Sequence, residues 1–347
     1  MPVDYSQTYT SRFVVKRLDN RSWLPIGTIG NVASLSLDMD GTDSVPLLET
    51  GDIEVDLSPG EELESGWYQI VMLADQRNSG YDTEELATLW IEATKGSETS
   101  DRNTVSATGR SALYPASTNP MPFGEYVPKG VEGASYCAEL LGKCCPAPVE
   151  VEGSFTVDDY YVFKEGTKIL EAVWTVLKAG GFCIQLEGNG TIWIRPLPTD
   201  PAMHLGRGRN AQLLSAGYEY TKDMTKIPNV YIARDGEQTA TAVNDDPTSR
   251  ISTVGRGFKV VTVDTSPIRV NGETLQSYAD RRLEEERSSI EYIRTYTREY
   301  DPNVKPFSIV RWYESGEYPQ DMRVKTSTLT IGYGVQVKET AVSYVRE

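Results

Sequence analysis

The chain has 347 residues, with 34 Lys and Arg against 50 Asp and Glu, a net charge of −16 and a hydrophobic share of 39%. That length makes room for two or more domains with cores of their own, and the composition is neither disordered nor fibrous. The acid excess argues against a surface built to hold nucleic acid, which needs Lys and Arg, and no apolar run reaches the roughly 20 residues of a membrane span.

The first third reads as strands. Met1 to Ser6 lacks a basic segment followed by an apolar one, so no secretory leader is expected. Phe13–Leu18 is a short apolar run. Ile53, Val55 and Leu57 alternate with Asp52, Glu54 and Asp56, the pattern of a half-buried strand. Trp67–Ala74, Leu86–Ala93 and Thr104–Leu113 follow, separated by turn-rich pieces at Ser58-Pro59-Gly60, Asn78-Ser79-Gly80 and Lys95–Asn103. Strands at this spacing predict an antiparallel barrel or sandwich over residues 1–117.

Pro115–Gly133 is rich in Pro and Gly and reads as a linker. Ala134–Gly142 is a short helix candidate. Thr167–Ala179 is an amphipathic helix, with Ile169, Leu170, Val173, Val176 and Leu177 along one side, Thr167 as its cap and Gly180-Gly181 as its end. A hairpin follows: Phe182, Ile184 and Leu186 alternate, Asn189-Gly190 makes a tight turn, and Ile192 and Ile194 lead back to Pro196. Residues 118–204 are expected to form an α/β lobe.

The last third returns to strands at Leu213–Tyr220 and Asn229–Arg234, with a turn at Asp235-Gly236. Thr239–Gly257 is polar and loop-like. Thr274 can cap a helix running to Ser288, with Leu275, Tyr278, Ala279 and Leu283 on one face. Ile290–Tyr300 reads as strand. A closing strand places Leu329, Ile331, Tyr333, Val335 and Val337 on one face, with Gly332 and Gly334 leaving the other face bare. The outline is mainly β with α+β inserts: a first β-barrel over 1–117, the lobe over 118–204, a second β-barrel from 205–238 and 290–347, and a helix-bearing insertion over 239–289.

No catalytic, cofactor or metal residues are assigned. His204 is the one imidazole and has no serine-elbow motif around Ser111 or Ser215. Asp38, Asp40 and Glu49 are similar to part of a calcium loop, but the glycine stands at the fourth position rather than the sixth, which favours a polar turn between strands. Asp158-Asp159, Asp245-Asp246 and Glu284–Glu286 read as solvated faces rather than a glycosidase pair. Gly206-Arg207-Gly208-Arg209 does not follow a strand and open a helix, so it makes no phosphate loop. Cys137, Cys144, Cys145 and Cys183 lack metal-finger spacing and read as reduced, partly buried thiols. The 20 Tyr against 7 Phe suit either subunit interfaces or a β-rich protein that favours tyrosine.

Three stretches, in order, resemble the baseplate hub proteins of contractile phages and phage-like bacteriocins. The first is Gly166-Thr167-Lys168-Ile169-Leu170-Glu171-Ala172 through Ile194-Arg195-Pro196, a helix, a Gly-Gly break and a hairpin. The second runs from Asn229-Val230-Tyr231-Ile232-Ala233 to Thr253-Val254-Gly255-Arg256. The third is Leu275–Leu283 leading to Tyr300-Asp301-Pro302-Asn303-Val304 and Phe307-Ser308-Ile309-Val310, where Phe307-Ser308 replaces the family's usual Gly-Asp. The similarity extends to hubs of prophages of Gram-positive bacteria and, more distantly, to late-control D and the VgrG amino-terminal part.

The resemblance implies two tail-tube-like barrels per subunit in a homotrimer. Such a trimer joins a six-fold tail tube, or a distal tube protein, to a three-fold central spike. It meets the tape-measure protein and the baseplate wedge proteins, and it forms part of the DNA conduit in a virion tail assembled in the host cytoplasm. It implies no enzyme, no sequence-specific nucleic-acid binding and no stable membrane insertion. The competing readings are a tail-associated peptidoglycan hydrolase and a host-surface carbohydrate-binding tail protein that stacks sugars on Trp23, Trp67, Trp90, Trp174, Trp193 and Trp312. With strand-like sequence running to Glu347, no added hydrolase domain is expected.

Overall fold

The computed structural model describes residues 9–41, 48–58, 61–76, 80–98, 103–206, 213–214, 218–222, 224–265, 267, 273–288, 290–313, 319–331 and 335–345. The chain divides into two compact units, Met1–Gly217 with Tyr296–Ala341, and Tyr218–Thr295 with Val342–Glu347. Strands dominate both, so the fold is mainly β with smaller α/β elements.

Six strands open the first unit: β1 (Thr10–Leu18), β2 (Pro25–Asp40), β3 (Leu48–Leu57), β4 (Gly66–Gln76), β5 (Gly80–Glu98) and β6 (Asn103–Ser111). They pair antiparallel in the order β1-β4-β5-β6-β3-β2. β2 then pairs back onto β1, from Asn31 opposite Val14 to Pro25 opposite Leu18. The circuit of pairings is closed along Pro25–Asn31 of β2, and the other part of that strand, Leu35–Asp40, is left to pair elsewhere. The period-two pattern sets its inside: Val15, Leu35, Leu37, Ile53, Val55, Ile70, Met72, Leu89 and Ile91 share one buried cluster.

The segment read as a linker is structured. Leu113, Ala116 and Val127 are buried, α1 spans Tyr114–Thr118 and β7 spans Tyr126–Val127. Proline at the first turn of α1 fits because that position needs no amide hydrogen. α2 (Gly133–Gly142), β8 (Val149–Val151), β9 (Tyr161–Val162), α3 (Ile169–Ala179), β10 (Phe182–Leu186), β11 (Ile192–Pro196) and β12 (Pro201–Gly206) follow. α3 buries Ile169, Leu170, Val173, Val176 and Leu177, the face expected from spacing. Its cap differs from expectation. Lys168 holds the cap position without a side-chain bond. Instead the Ile169 amide donates to Asn119 and the Met121 amide donates to Thr167, so the preceding segment fixes the helix start. β10 is buried on both faces, Cys183 and Gln185 included, rather than half-buried.

The turn of the β10–β11 hairpin is longer than the two residues Asn189-Gly190. Leu186 is the last residue paired, opposite Ile192, and the loop closes through Glu187 and Thr191. The extra length lets the loop lie on the barrel. The Trp23 indole donates to the Asn189 carbonyl at 2.8 Å and Thr88 Oγ1 donates to the Gly188 carbonyl at 2.8 Å. The approach is so close that a Cβ on Gly188 would stand 1.6 Å from the Glu85 carbonyl oxygen.

In the second unit, β13 (Glu219–Lys222) is followed by β14 (Val230–Asp235), β15 (Gln238–Val243), α4 (Thr253–Arg256), β16 (Val261–Asp264), α5 (Leu275–Ser288) and β17 (Ile290–Glu299). Two expectations change here. Thr239–Gly257 is not all loop, because Gln238–Val243 pairs antiparallel with β14 through a turn at Gly236. The Leu213–Tyr220 strand reduces to a bridge at Leu213 and the start of β13, with 215–217 outside the described residues. α5 matches its expected face: Leu275, Tyr278, Ala279 and Leu283 pack on Tyr231, Ala233, Ala240 and Ala242. Thr274 Oγ1 accepts from the Ser277 amide at 3.1 Å, as a cap should.

The chain re-enters the first unit at Tyr296. β18 (Ile309–Tyr313) pairs parallel with β12 and antiparallel with β19 (Gln320–Ile331). β19 adds to β2, Thr326 opposite Asp40 through Ile331 opposite Leu35. The closing strand is therefore two strands, β19 and β20 (Val335–Val345), side by side in the sheet. Leu329, Ile331, Val335 and Val337 still share one core. Tyr333, Gly332 and Gly334 lie outside the described residues.

Candidate functional site

The residues singled out by chemistry do not converge. His204 sits exposed on β12, its Nδ1 3.0 Å from the Tyr313 hydroxyl and its ring stacked on Tyr313 at 5.7 Å. The neighbouring Asp321 is held by both ends of Arg311, at 2.6 and 2.8 Å, which keeps its carboxyl below the usual range. A catalytic imidazole needs an orienting acid and a nucleophile. Asp38 and Asp40 lie on β2, and Glu49 is on β3, opposite Met39. Among the described residues no group of three or more His, Cys, Asp or Glu is placed to hold a metal ion. Asp158, Asp159, Asp245 and Asp246 are exposed. Glu284 and Glu285 face solvent on α5, paired with Arg287, Arg281 and Arg282. Trp67, Trp174 and Trp312 are buried, so half of the six indoles serve the core.

What the strands do assemble is a broad polar face on the first unit. It crosses β6, β3, β2 and β19. One rung sets Asp38 beside Thr328; the next runs Thr108, Asp52, Ser36, Thr330; a third begins Ser106, Glu54, Ser34. The same strands turn Ile53, Val55, Leu35, Leu37 and Leu329 inward, so alternation puts only the polar set outside. The carboxylates are held by neutral hydroxyls. Thr328 donates to Asp38 at 2.8 Å, Thr108 to Asp52 at 3.1 Å, Ser34 to Glu54 at 3.2 Å and Thr104 to Asp56 at 2.8 Å. Hydroxyls orient Asp38, Asp52 and Glu54 without cancelling their charge, and the basic residues Lys95 and Arg110 stand at the margin of the face. Only the β3 part, Asp52, Glu54 and Asp56, was legible in sequence. The rest needed strand order, which brings residues 290 positions apart into contact at Thr328 and Asp38.

A second surface lies in the α/β part. Phe123 is 97% exposed and Val162 78%, with Tyr126 and Tyr160 exposed beside each other at 6.3 Å. Phe123 and Tyr126 fall in the segment read as a linker, and strand pairing brings β9, with Val162, beside them. Buried elsewhere in this unit is a bidentate ion pair. Arg298 Nε and Nη2 reach Glu339 at 2.9 and 2.6 Å, and both side chains are almost wholly enclosed. Arg298 also donates to the carbonyls of Glu299 and Val304, so four of its five N–H donors have partners.

No family model matches the sequence, and no curated protein matches it. Solved structures do. A tail protein from Neisseria meningitidis MC58 aligns with a TM-score of 0.64 at 13% identity, covering 96% of both chains. The 43 kDa tail protein of prophage MuSo2 from Shewanella oneidensis aligns at 0.65 and 11% identity, covering 97% of this chain and 98% of that one. Prophage tail protein gp18 from Listeria monocytogenes EGD-e aligns at 0.52 and 8% identity, covering 97% and 95%. At such identities the likeness is one of backbone, and it takes in nearly the whole of each chain: this protein has the fold of phage tail proteins, matching at the level of fold the resemblance read from its sequence.

Proposed function

We propose that the chain is a structural hub of a phage or phage-like tail, a homotrimer that adapts a six-fold tube to a three-fold spike and forms part of the DNA conduit. The observation that carries this reading is the likeness in fold, over nearly full length, to two tail proteins. The closed circuit of β1 to β6 supports it, since a sheet paired round on itself suits a ring wall. The hydroxyl and carboxylate face supports the conduit. Nucleic acid passing a wall is slowed by cations, each contact adding affinity, and a face of carboxylates on neutral donors, with cations only at its margin, gives phosphate little to hold. We assign that face to the axis of the trimer. Tube, spike, tape-measure and wedge proteins are the partners, the virion tail is the location, and the chain performs no chemistry of its own.

Native mass spectrometry and negative-stain images of the purified chain test the reading. A three-fold ring with an open centre is the expected result. A monomer at micromolar concentration that releases muropeptides from peptidoglycan would overturn it.

A further inference from the structure

Cys144 and Cys145 lie in the turn that follows α2, with their sulfurs 3.8 Å apart. The Leu141 carbonyl accepts from both backbone amides, at 3.0 and 2.8 Å, so the turn already holds the two side chains together. Their surroundings differ. Cys144 is partly exposed, and the hydrogen bond from Cys145 lowers its thiol pKa against the opposing effect of burial. Cys145 is buried, and that same bond together with burial pushes its thiol far up. The remaining thiols, Cys137 and Cys183, are enclosed in the core, and burial raises each to about 12. Of the four, Cys144 is the least enclosed, and a second sulfur stands beside it. An accessible thiol of lowered pKa next to a resolving thiol is the arrangement of a redox-responsive pair.

We propose that Cys144 and Cys145 are a peroxide-responsive dithiol that closes to a vicinal disulfide and reopens under thiol reductant. The Cys144 thiolate attacks hydrogen peroxide; an S–O bond forms as the O–O bond breaks, giving a sulfenic acid and hydroxide. The Cys145 sulfur then attacks the Cys144 sulfur and gives up its proton. The S–S bond forms as the sulfenic oxygen leaves as water, and the hydroxide takes up the remaining proton. Two thiols are oxidised to one disulfide and one peroxide is reduced to two waters. Neighbouring Cα atoms are about 3.8 Å apart across a trans peptide, short of the roughly 4.4–6.8 Å that a relaxed disulfide spans. The bridge is therefore strained, and strained bridges are readily reduced. That makes the pair reversible rather than a structural staple, and it is independent of the assembly reading.

The test uses the full chain treated with a small excess of hydrogen peroxide. The intact mass should fall by two hydrogen atoms, peptide mapping should place the bridge at residues 144 and 145, and a phosphine should restore the starting mass. Cys145→Ser should stop at a Cys144 sulfenic acid that dimedone traps, while Cys144→Ser should stay unmodified. Cys137→Ser and Cys183→Ser should still close the bridge. Circular dichroism checks each variant, and the wild-type map decides the question even where a variant misfolds. The proposal is overturned if wild-type Cys144 gains oxygen without the loss of two hydrogens. It is equally overturned if Cys144 does not react, or if the bridge forms to Cys137 or Cys183.

Discussion

Two acids show how far one residue's surroundings decide its role. Glu339 is sealed with Arg298, and its loss would leave a guanidinium charged and buried. Glu339→Gln keeps the shape and is expected to destabilise the protein by about 3–5 kcal/mol. Replacing both partners, as Arg298→Met with Glu339→Leu, should recover most of that, because no buried charge is left over. Urea midpoints for the three proteins check this; equal loss in the single and double variants would show that the pair is more than mutual neutralisation. Glu132 is different. It caps α2, accepting from Ala134 at 3.1 Å and Ser135 at 2.7 Å, and also from Phe155 at 3.1 Å. Partial burial raises its pKa, but these hydrogen bonds outweigh that and leave it lowered. A carboxyl lowered by folding adds stability above its unfolded pKa of roughly 4.3, and that stability is lost as pH falls through the folded value. Glu132→Gln should therefore lose about 1 kcal/mol at neutral pH and show a flatter decline on the acid side. Thermal melts from pH 7 down to pH 3 measure both; a parallel decline in the two proteins would remove the cap from the account.

At the scale of elements, the β10–β11 hairpin is the joint between barrel and α/β part, and Gly188 is its tightest point. A methyl there meets backbone, not a yielding side chain. Gly188→Ala should lift the loop and break the Trp23 and Thr88 bonds while α3 stays folded. Faster hydrogen exchange at 186–192 with unchanged exchange in α3 is the expected signature; unchanged exchange at both would mean the loop is not docked. The same hairpin shows what sequence can and cannot carry. The helix face of α3 and of α5 was legible because period and contacts lie within one element. The other barrel strands were legible for the same reason, but β2 was not, and its Asp38-Met39-Asp40 end, read as a polar turn, is strand. The length of the Glu187–Thr191 loop was not, because the barrel surface under Trp23 decides it. Gln238–Val243 was missed as a strand because small Ala and polar Thr and Gln give it almost no apolar alternation, and its pairing with β14 supplies the order that pattern does not announce. The break between β19 and β20 was hidden by an alternation that continues in phase across Gly332 and Gly334. Arg298 and Glu339, 41 positions apart, carry no mark of partnership in the sequence.

At the scale of the whole molecule, the acidic face is the feature that separates a conduit wall from an ordinary soluble surface. The variant Asp52→Lys/Glu54→Lys/Asp56→Lys changes exposed or half-exposed positions and should leave fold and oligomeric state intact. Tails assembled with it should eject DNA more slowly, and added salt should relieve the delay, since phosphate contacts weaken with ionic strength. Normal ejection from normally assembled tails would put this face elsewhere than on the axis. The proposed trimer would be untouched by that result, and the assignment of its lining would fall.

The position of β19 also sets a clock. β1 to β6 close their circuit by Ser111, yet the half of β2 from Leu35 to Asp40 keeps one side without its strand until Gln320–Ile331 has been made. At ~5–20 residues per second, the intervening stretch of about 200 residues takes roughly 10–40 s to synthesise. For that interval a chain that has closed its circuit still lacks Leu329, Ile331, Val335 and Val337 from its core and carries a short open flank, and neighbouring chains on a polysome carry the same flank. Its outward side chains, Ser36, Asp38 and Asp40, are then what keeps one unfinished copy from zipping onto the next.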